Sequence, residues 1–174
     1  MDKKVKIIIL YKITFLAIFV IVFGKTFIGN TVSGRVHFPK EYVDKTLVME
    51  NGQKFTIFRT LTVNSKTPGT TGFAVFKVRF KFSGLKPEDN KRLSMIPVPF
   101  LVGMKGFRAK YWMINEDTGY FQGVYQWTSK EIAENYPDSF IFQLMTKRAA
   151  SGTVSYEVLP DTDISDYIKY RFPK

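Results

Sequence analysis

Tyr111, Tyr125, Trp127 and Tyr156 are the side chains of this chain best suited to chemistry, with Phe80 and Phe107 as walls beside them. Each Tyr or Trp joins a large apolar ring to a polar group that needs a partner when buried. If these residues share one sheet face under covering helices, they suit a flat, apolar or aromatic ligand. The same rings serve equally well as core side chains. Other catalytic sets are missing: no Ser-His-Asp set, Gly-rich phosphate loop or pair of carboxylates can be assembled. The chain has no Cys and a single His, His37, so no metal-ligand set is expected. No residue stands out as a catalytic group, and no organic cofactor is expected.

The elements that must position these rings start from a hairpin over Gly106–Trp127, with Asn115-Glu116-Asp117-Thr118-Gly119 as its turn. A strand precedes it at Phe76–Phe82 and another follows at Thr153–Leu159. Lys86-Pro87-Glu88-Asp89 opens a helix, with Pro near its first position and acids in its first turn. Pro97 and Pro99 end it, leaving Phe100–Met104 as an apolar connector. Thr128 and Glu131 have capping-box spacing for a second helix over Ser129–Arg148. Pro137 breaks that helix and Asp138 recaps it, so that Ile141, Leu144, Met145 and Arg148 share a face.

The order βαββαβ predicts an α+β, ferredoxin-like fold, with a four-stranded antiparallel sheet and both helices on one face. Strict alternation then puts Phe76, Val78, Phe80, Phe82, Phe107, Ala109, Tyr111 and Met113 under the helices. Phe121, Gly123, Tyr125, Trp127, Val154, Tyr156 and Val158 join them. The opposite face collects Lys77, Arg79, Lys81, Arg108, Lys110, Trp112, Gln122, Gln126, Ser155 and Glu157. So many cations on one face call for solvent, for pairing, or for cover by a second hairpin over Leu47–Val63, whose turn is Asn51-Gly52. The proline breaks make both helices irregular where they cover the aromatic face, which is how a pocket opens.

Ahead of this domain, residues 7–23 are almost wholly apolar and follow a basic head, MDKKVK. Three readings fit: a signal anchor in the lipid membrane, a cleaved signal peptide, or a buried helix. The excess of Lys before the stretch puts the N-terminus in the cytoplasm and the domain outside for an anchored protein; cleavage would make it secreted. The expected division is 1–28 anchor or signal peptide, 29–72 linker and hairpin extension, 73–160 ferredoxin-like domain, and 161–174 tail. Ser65–Gly72 reads as a flexible loop. The net charge is +11, yet no Lys/Arg stripe interleaved with stacking aromatics marks a nucleic-acid partner.

Gly106-Phe107-Arg108-Ala109-Lys110-Tyr111-Trp112, the Asn115–Gly119 turn and Phe121-Gln122-Gly123-Val124-Tyr125-Gln126-Trp127 resemble the antibiotic-biosynthesis monooxygenase superfamily, nearest its YdhR-like branch. The resemblance covers about Phe73–Pro160. It implies a pocket between sheet and helices, and a homodimer whose two sheets form a barrel. It also implies oxidation of aromatic polyketides without a cofactor, or oxidative haem breakdown; both use Asn and Trp side chains in the pocket. Haem-degrading members add a helix His as iron ligand, and Ser129–Arg148 has none. Asn115 reads as a turn residue. The expected function is thus a membrane-anchored, monooxygenase-like oxidoreductase, with a non-enzymatic ligand-binding or assembly module as the alternative.

Overall fold

The computed structural model describes residues 24–25, 27–64, 73–84 and 86–173. Their strands are β1 (Val36–His37), β2 (Thr46–Val48), β3 (Lys54–Val63), β4 (Ala74–Lys81), β5 (Phe107–Asn115), β6 (Tyr120–Trp127) and β7 (Ser155–Pro160). All pair antiparallel in one sheet of order β1-β3-β5-β6-β4-β7, with β2 also on β3. The run β5-β6-β4-β7 is the strand order of the ferredoxin-like βαββαβ unit. The expected second hairpin is β2–β3, and β3 extends the sheet by pairing along β5.

The helices are α1 (Pro87–Leu93), α2 (Val98–Gly103), α3 (Lys130–Asn135), α4 (Phe140–Thr146) and α5 (Ile164–Lys169). The segment expected to be a connector after Pro97 is α2. Pro99 lies in its first turn, where a missing N–H costs no hydrogen bond. Pro137 does split the following helix, through a 3-10 turn at Tyr136–Asp138. The caps sit one residue later than expected: Ser129 accepts from the Ile132 N–H and Ser139 from the Phe142 N–H.

The main departure from simple alternation lies in β5. Phe107 pairs with Trp127, but Ala109 already pairs with Gln126, so Arg108 is an extra residue, a β-bulge. Beyond it every side chain of β5 lies on the face opposite to the one expected. Tyr111, Ala109 and Met113 therefore belong to the far face, while Trp112 and Ile114 join the core under the helices. Gly106, at φ +81°, starts the strand where a Cβ would meet Thr128 Oγ1 at 2.6 Å.

The far face is neither solvent nor an open dimer surface. Leu47, Met49, Phe55 and Ile57 of the hairpin pack there with Tyr111, Met113 and Val124, and Ile164, Tyr167 and Ile168 of α5 complete a second core. The acidic-then-aromatic tail thus has a place: Asp163 caps α5 by accepting from the Ser165 N–H, and its apolar stripe closes the sheet. Cations on this side are paired at its rim, Lys77 with Glu50 and Glu157, and Arg171 with Glu50.

The expected single-pass membrane protein is overturned. No helix among the described residues is long and apolar enough to cross a membrane. The apolar stretch 7–23 lies outside the described residues, as does the loop expected at 65–72, and residues 27–32 are a short helix where a linker was expected.

Two predictions concern the second core. Ile168, fully buried, should cost about 2–5 kcal/mol when changed to Ala, read as a lower midpoint in urea denaturation. Burial works to raise the Glu50 pKa, but its own backbone N–H, Arg171 and Lys77 outweigh it and hold it at about 2. An unfolded Glu titrates near about 4.3. The folded pKa is the lower one, so the stabilisation from Glu50 is present above pH about 4.3 and lost as pH falls towards about 2. Wild type should show a larger drop in melting temperature across that window than Glu50→Gln.

Candidate functional site

On the helix face the sheet and its covering helices form a cavity of about 60 Å³. Its floor is Lys110, Trp112, Gly123 and Tyr125, its aromatic walls Phe58, Phe80, Phe82 and Phe121. One side of the cover is Asn90, Leu93, Ser94 and Pro97 from α1 and the turn after it. The other is Ile141, Leu144, Met145 and Arg148, the four residues expected to share a face of the second helix.

Cross-strand pairing builds the floor. Lys110 lies opposite Tyr125, and Trp112 opposite Gly123. A Cβ at Gly123 would meet Tyr125 Cε2 at 2.7 Å, so only Gly lets the Tyr125 ring lie down over its neighbour. The Lys110 Nζ then sits 4.3 Å from the ring centroids of both Trp112 and Tyr125. Lys110 is 1% exposed, and among the described residues no carboxylate pairs with it or lines the cavity.

Burial, and then the charge of Arg59, push the Lys110 pKa well below that of an ordinary lysine. A desolvated ring face gives a cation about 2 kcal/mol. The penalty for burying an unpaired ion is several kcal/mol. The two rings therefore offset only part of it.

Two more polar groups of the cavity residues lack partners. Trp112 Nε1 and Asn90 Oδ1 are buried without a hydrogen bond. Native proteins leave few such groups. Asn90 Nδ2 donates to the Lys86 carbonyl at 3.3 Å, and further along the same helix Arg59 donates to the Lys91 carbonyl at 3.0 Å and to Ser94 Oγ. Those Arg59 bonds satisfy an orphan carbonyl at the end of α1 and fix that helix over β3.

Of the six residues singled out in the sequence, Phe80 and Tyr125 line the cavity. Trp127 and Phe107 lie in packed core beside it, 5.6 Å apart between ring centroids. Trp127 also packs on Tyr136 at 5.0 Å. Tyr156 is on the helix face but 55% exposed at the β7 edge, stacked on Phe76. Tyr111 is on the far face, 6.1 Å from the Tyr42 ring; burial, with Tyr42, Glu41 and Asp163 adding to it, pushes its pKa up to about 12. Burial also raises the Tyr125 pKa, and that of Tyr136 beside it.

Sequence reading missed Asn90, Lys110 and Trp112. One signal was available: the supposedly polar face of β5 also contained Trp112 and Ile114, which a solvated face would not explain. Asn90, in the middle of a seven-residue helix, carried no signal.

No protein-family model and no curated protein matches this chain. Its structural neighbours are ferredoxin-fold proteins like the antibiotic-biosynthesis monooxygenases. One is an uncharacterized ferredoxin-fold protein related to those enzymes from Listeria monocytogenes, 8% identical, with TM-score 0.48, covering 75% of this chain and 94% of its own. A monooxygenase-like protein from Listeria innocua is 11% identical, with TM-score 0.47, covering 67% and 68%. A heme-degrading enzyme from Listeria monocytogenes is 12% identical, with TM-score 0.43, covering 71% and 95%. Nothing about chemistry follows from likeness at this level, and none of these three is described as YdhR-like.

Gly123→Ala should displace Tyr125 and cost about 1–3 kcal/mol, with a changed near-ultraviolet circular dichroism spectrum. Unchanged stability and spectrum would show that the floor is not packed as described.

Proposed function

We propose that this chain takes a flat, apolar or aromatic substrate into the cavity between sheet and helices and oxidises it with dioxygen, without an organic cofactor. The observation that carries this reading is the pair Asn90 and Trp112, each with a buried, unpartnered polar atom, among the residues that line an aromatic-walled cavity. They are the residue types that the resembled superfamily uses in its pocket. Trp112 Nε1–H can donate to a substrate oxygen and Asn90 Oδ1 can accept from a substrate hydroxyl, which fixes the ring plane against Tyr125. Among the sequence candidates, Phe80 and Tyr125 keep their role as substrate contacts.

A reaction that needs no further reductant is oxidation of an activated methylene between aromatic rings. The carbon loses two hydrogens and gains one oxygen atom as a carbonyl. The second oxygen atom leaves with both hydrogens as water, so one dioxygen is consumed per substrate. Such a substrate supplies its own electrons once it is held as an enolate.

A second reading, a binding module without turnover, is favoured by one observation: no His, Cys, Asp or Glu lines the cavity among the described residues. In either case a homodimer would have to use a surface other than the far sheet face, which α5 and the β2–β3 hairpin occupy.

Oxygen uptake against a panel of quinols and polyketide-like phenols distinguishes the two. Trp112→Phe, which keeps a ring but loses the N–H, and Asn90→Ala should each lower kcat/KM by about tenfold or more, the worth of one buried hydrogen bond. Full turnover in both variants would sink the assignment, and binding without oxygen uptake would leave the binding module.

A further inference from the structure

We infer that the ligand of this cavity is an aromatic acid, a flat ring system with one anionic oxygen (carboxylate, phenolate or enolate) that pairs with the Lys110 ammonium. This rests on the reading that the cavity takes a flat aromatic molecule, and it adds the charge that molecule carries.

Lys110 is the starting point. It lies 1% exposed on the cavity floor, with its Nζ between two ring faces at 4.3 Å. Ring faces steady a cation, but an ammonium has three N–H donors that rings satisfy poorly. Among the described residues no carboxylate lines the cavity to accept from them. A second cation stands at the cavity, half-buried Arg148, whose guanidinium lies 5.2 Å from the Phe82 ring centroid. It too has no carboxylate partner among the described ion pairs. The space is therefore positive, apolar and aromatic together.

Trp112 adds direction. It is two residues beyond Lys110 on the same strand face, and its unpartnered Nε1–H is a second donor among the cavity residues. An anionic oxygen can accept from the Lys110 ammonium, and such charge-assisted bonds are the strong ones. A neutral hydrocarbon would leave both donors unmet, which is costly in a dry site. When the ligand enters as the neutral acid, its O–H proton moves to the Lys110 amine, giving the anion and the ammonium. No other atom is exchanged, and no oxidant or reductant is needed.

The test compares 2-naphthoate with its neutral isostere 2-naphthamide by isothermal titration on the purified full chain and on Lys110→Met. Wild type should bind the naphthoate about tenfold or more tighter than the amide. Lys110→Met should bind both equally, at the wild-type affinity for the amide, since Met keeps the volume and drops the charge. Equal affinities in wild type, or a preference for the naphthoate that survives in Lys110→Met, overturns the inference about charge and leaves the cavity reading standing. Binding of neither probe to wild type overturns both. Should Lys110→Met fail to fold, Lys110→Gln, which also drops the charge, takes its place in the same comparison with the same two outcomes.

Discussion

One extra residue in β5 sets the rest of this structure. Side chains on a strand alternate strictly, so inserting Arg108 between two paired positions inverts everything after it. Without the bulge, Lys110 and Trp112 would point to the far sheet face and Tyr111 would lie under the helices. With it, a cation and an indole enter the helix-side core, and a tyrosine enters the other. The cavity floor exists because of that inversion, together with the missing Cβ of Gly123 across the strand.

The inversion also makes β5 a strand buried on both faces, and a single layer of helices cannot cover both. The second cover comes from the same chain: the β2–β3 hairpin runs alongside β5, and α5 lies over the far face with Ile164, Tyr167 and Ile168. Burying a strand on both sides needs apolar residues at successive positions, as β5 has from Ala109 to Ile114 with Lys110 as the exception. The ion pairs of Glu50 with Lys77 and Arg171 tie hairpin, sheet and tail together at the rim.

Lys110 is the costly member of the arrangement. A buried amine between two rings is tolerable when neutral and expensive when charged, and the surroundings push it towards the neutral form. Buried groups of this kind contribute little to stability, and a Met of similar volume would serve the fold as well or better. Lys110 and the residues of two unpartnered polar atoms, Trp112 Nε1 and Asn90 Oδ1, all line one cavity. The split helices α3 and α4 and the Arg59 clamp on α1 leave that space open without loosening the sheet.

Much of the architecture was legible from local chemistry. The alternating runs, the Asn115–Gly119 turn, the Asn51-Gly52 hairpin and the proline breaks each act within a few residues, and together they define the ferredoxin-like order and the α4 face that lines the cavity. That Phe80 and Tyr125 lie under the helices, where they line the cavity, was legible because β4 and β6 run without a bulge between them. The apolar stretch 7–23 read as a membrane span, yet among the described residues no helix has the length and apolarity to cross a membrane. Placing Lys110, Trp112 and Asn90 at one cavity needed the register of β5 against β6 and the docking of α1 on β3. The bulge lies at the open end of that hairpin, away from its turn, and Arg59 reaches α1 from 32 residues away in the chain, so no short-range pattern is diagnostic of either. The sequence by itself thus determined the elements and their order, because propensity, turns and alternation are local; the tertiary structure alone decided which face each side chain of β5 took, because a bulge is fixed by its partner strand.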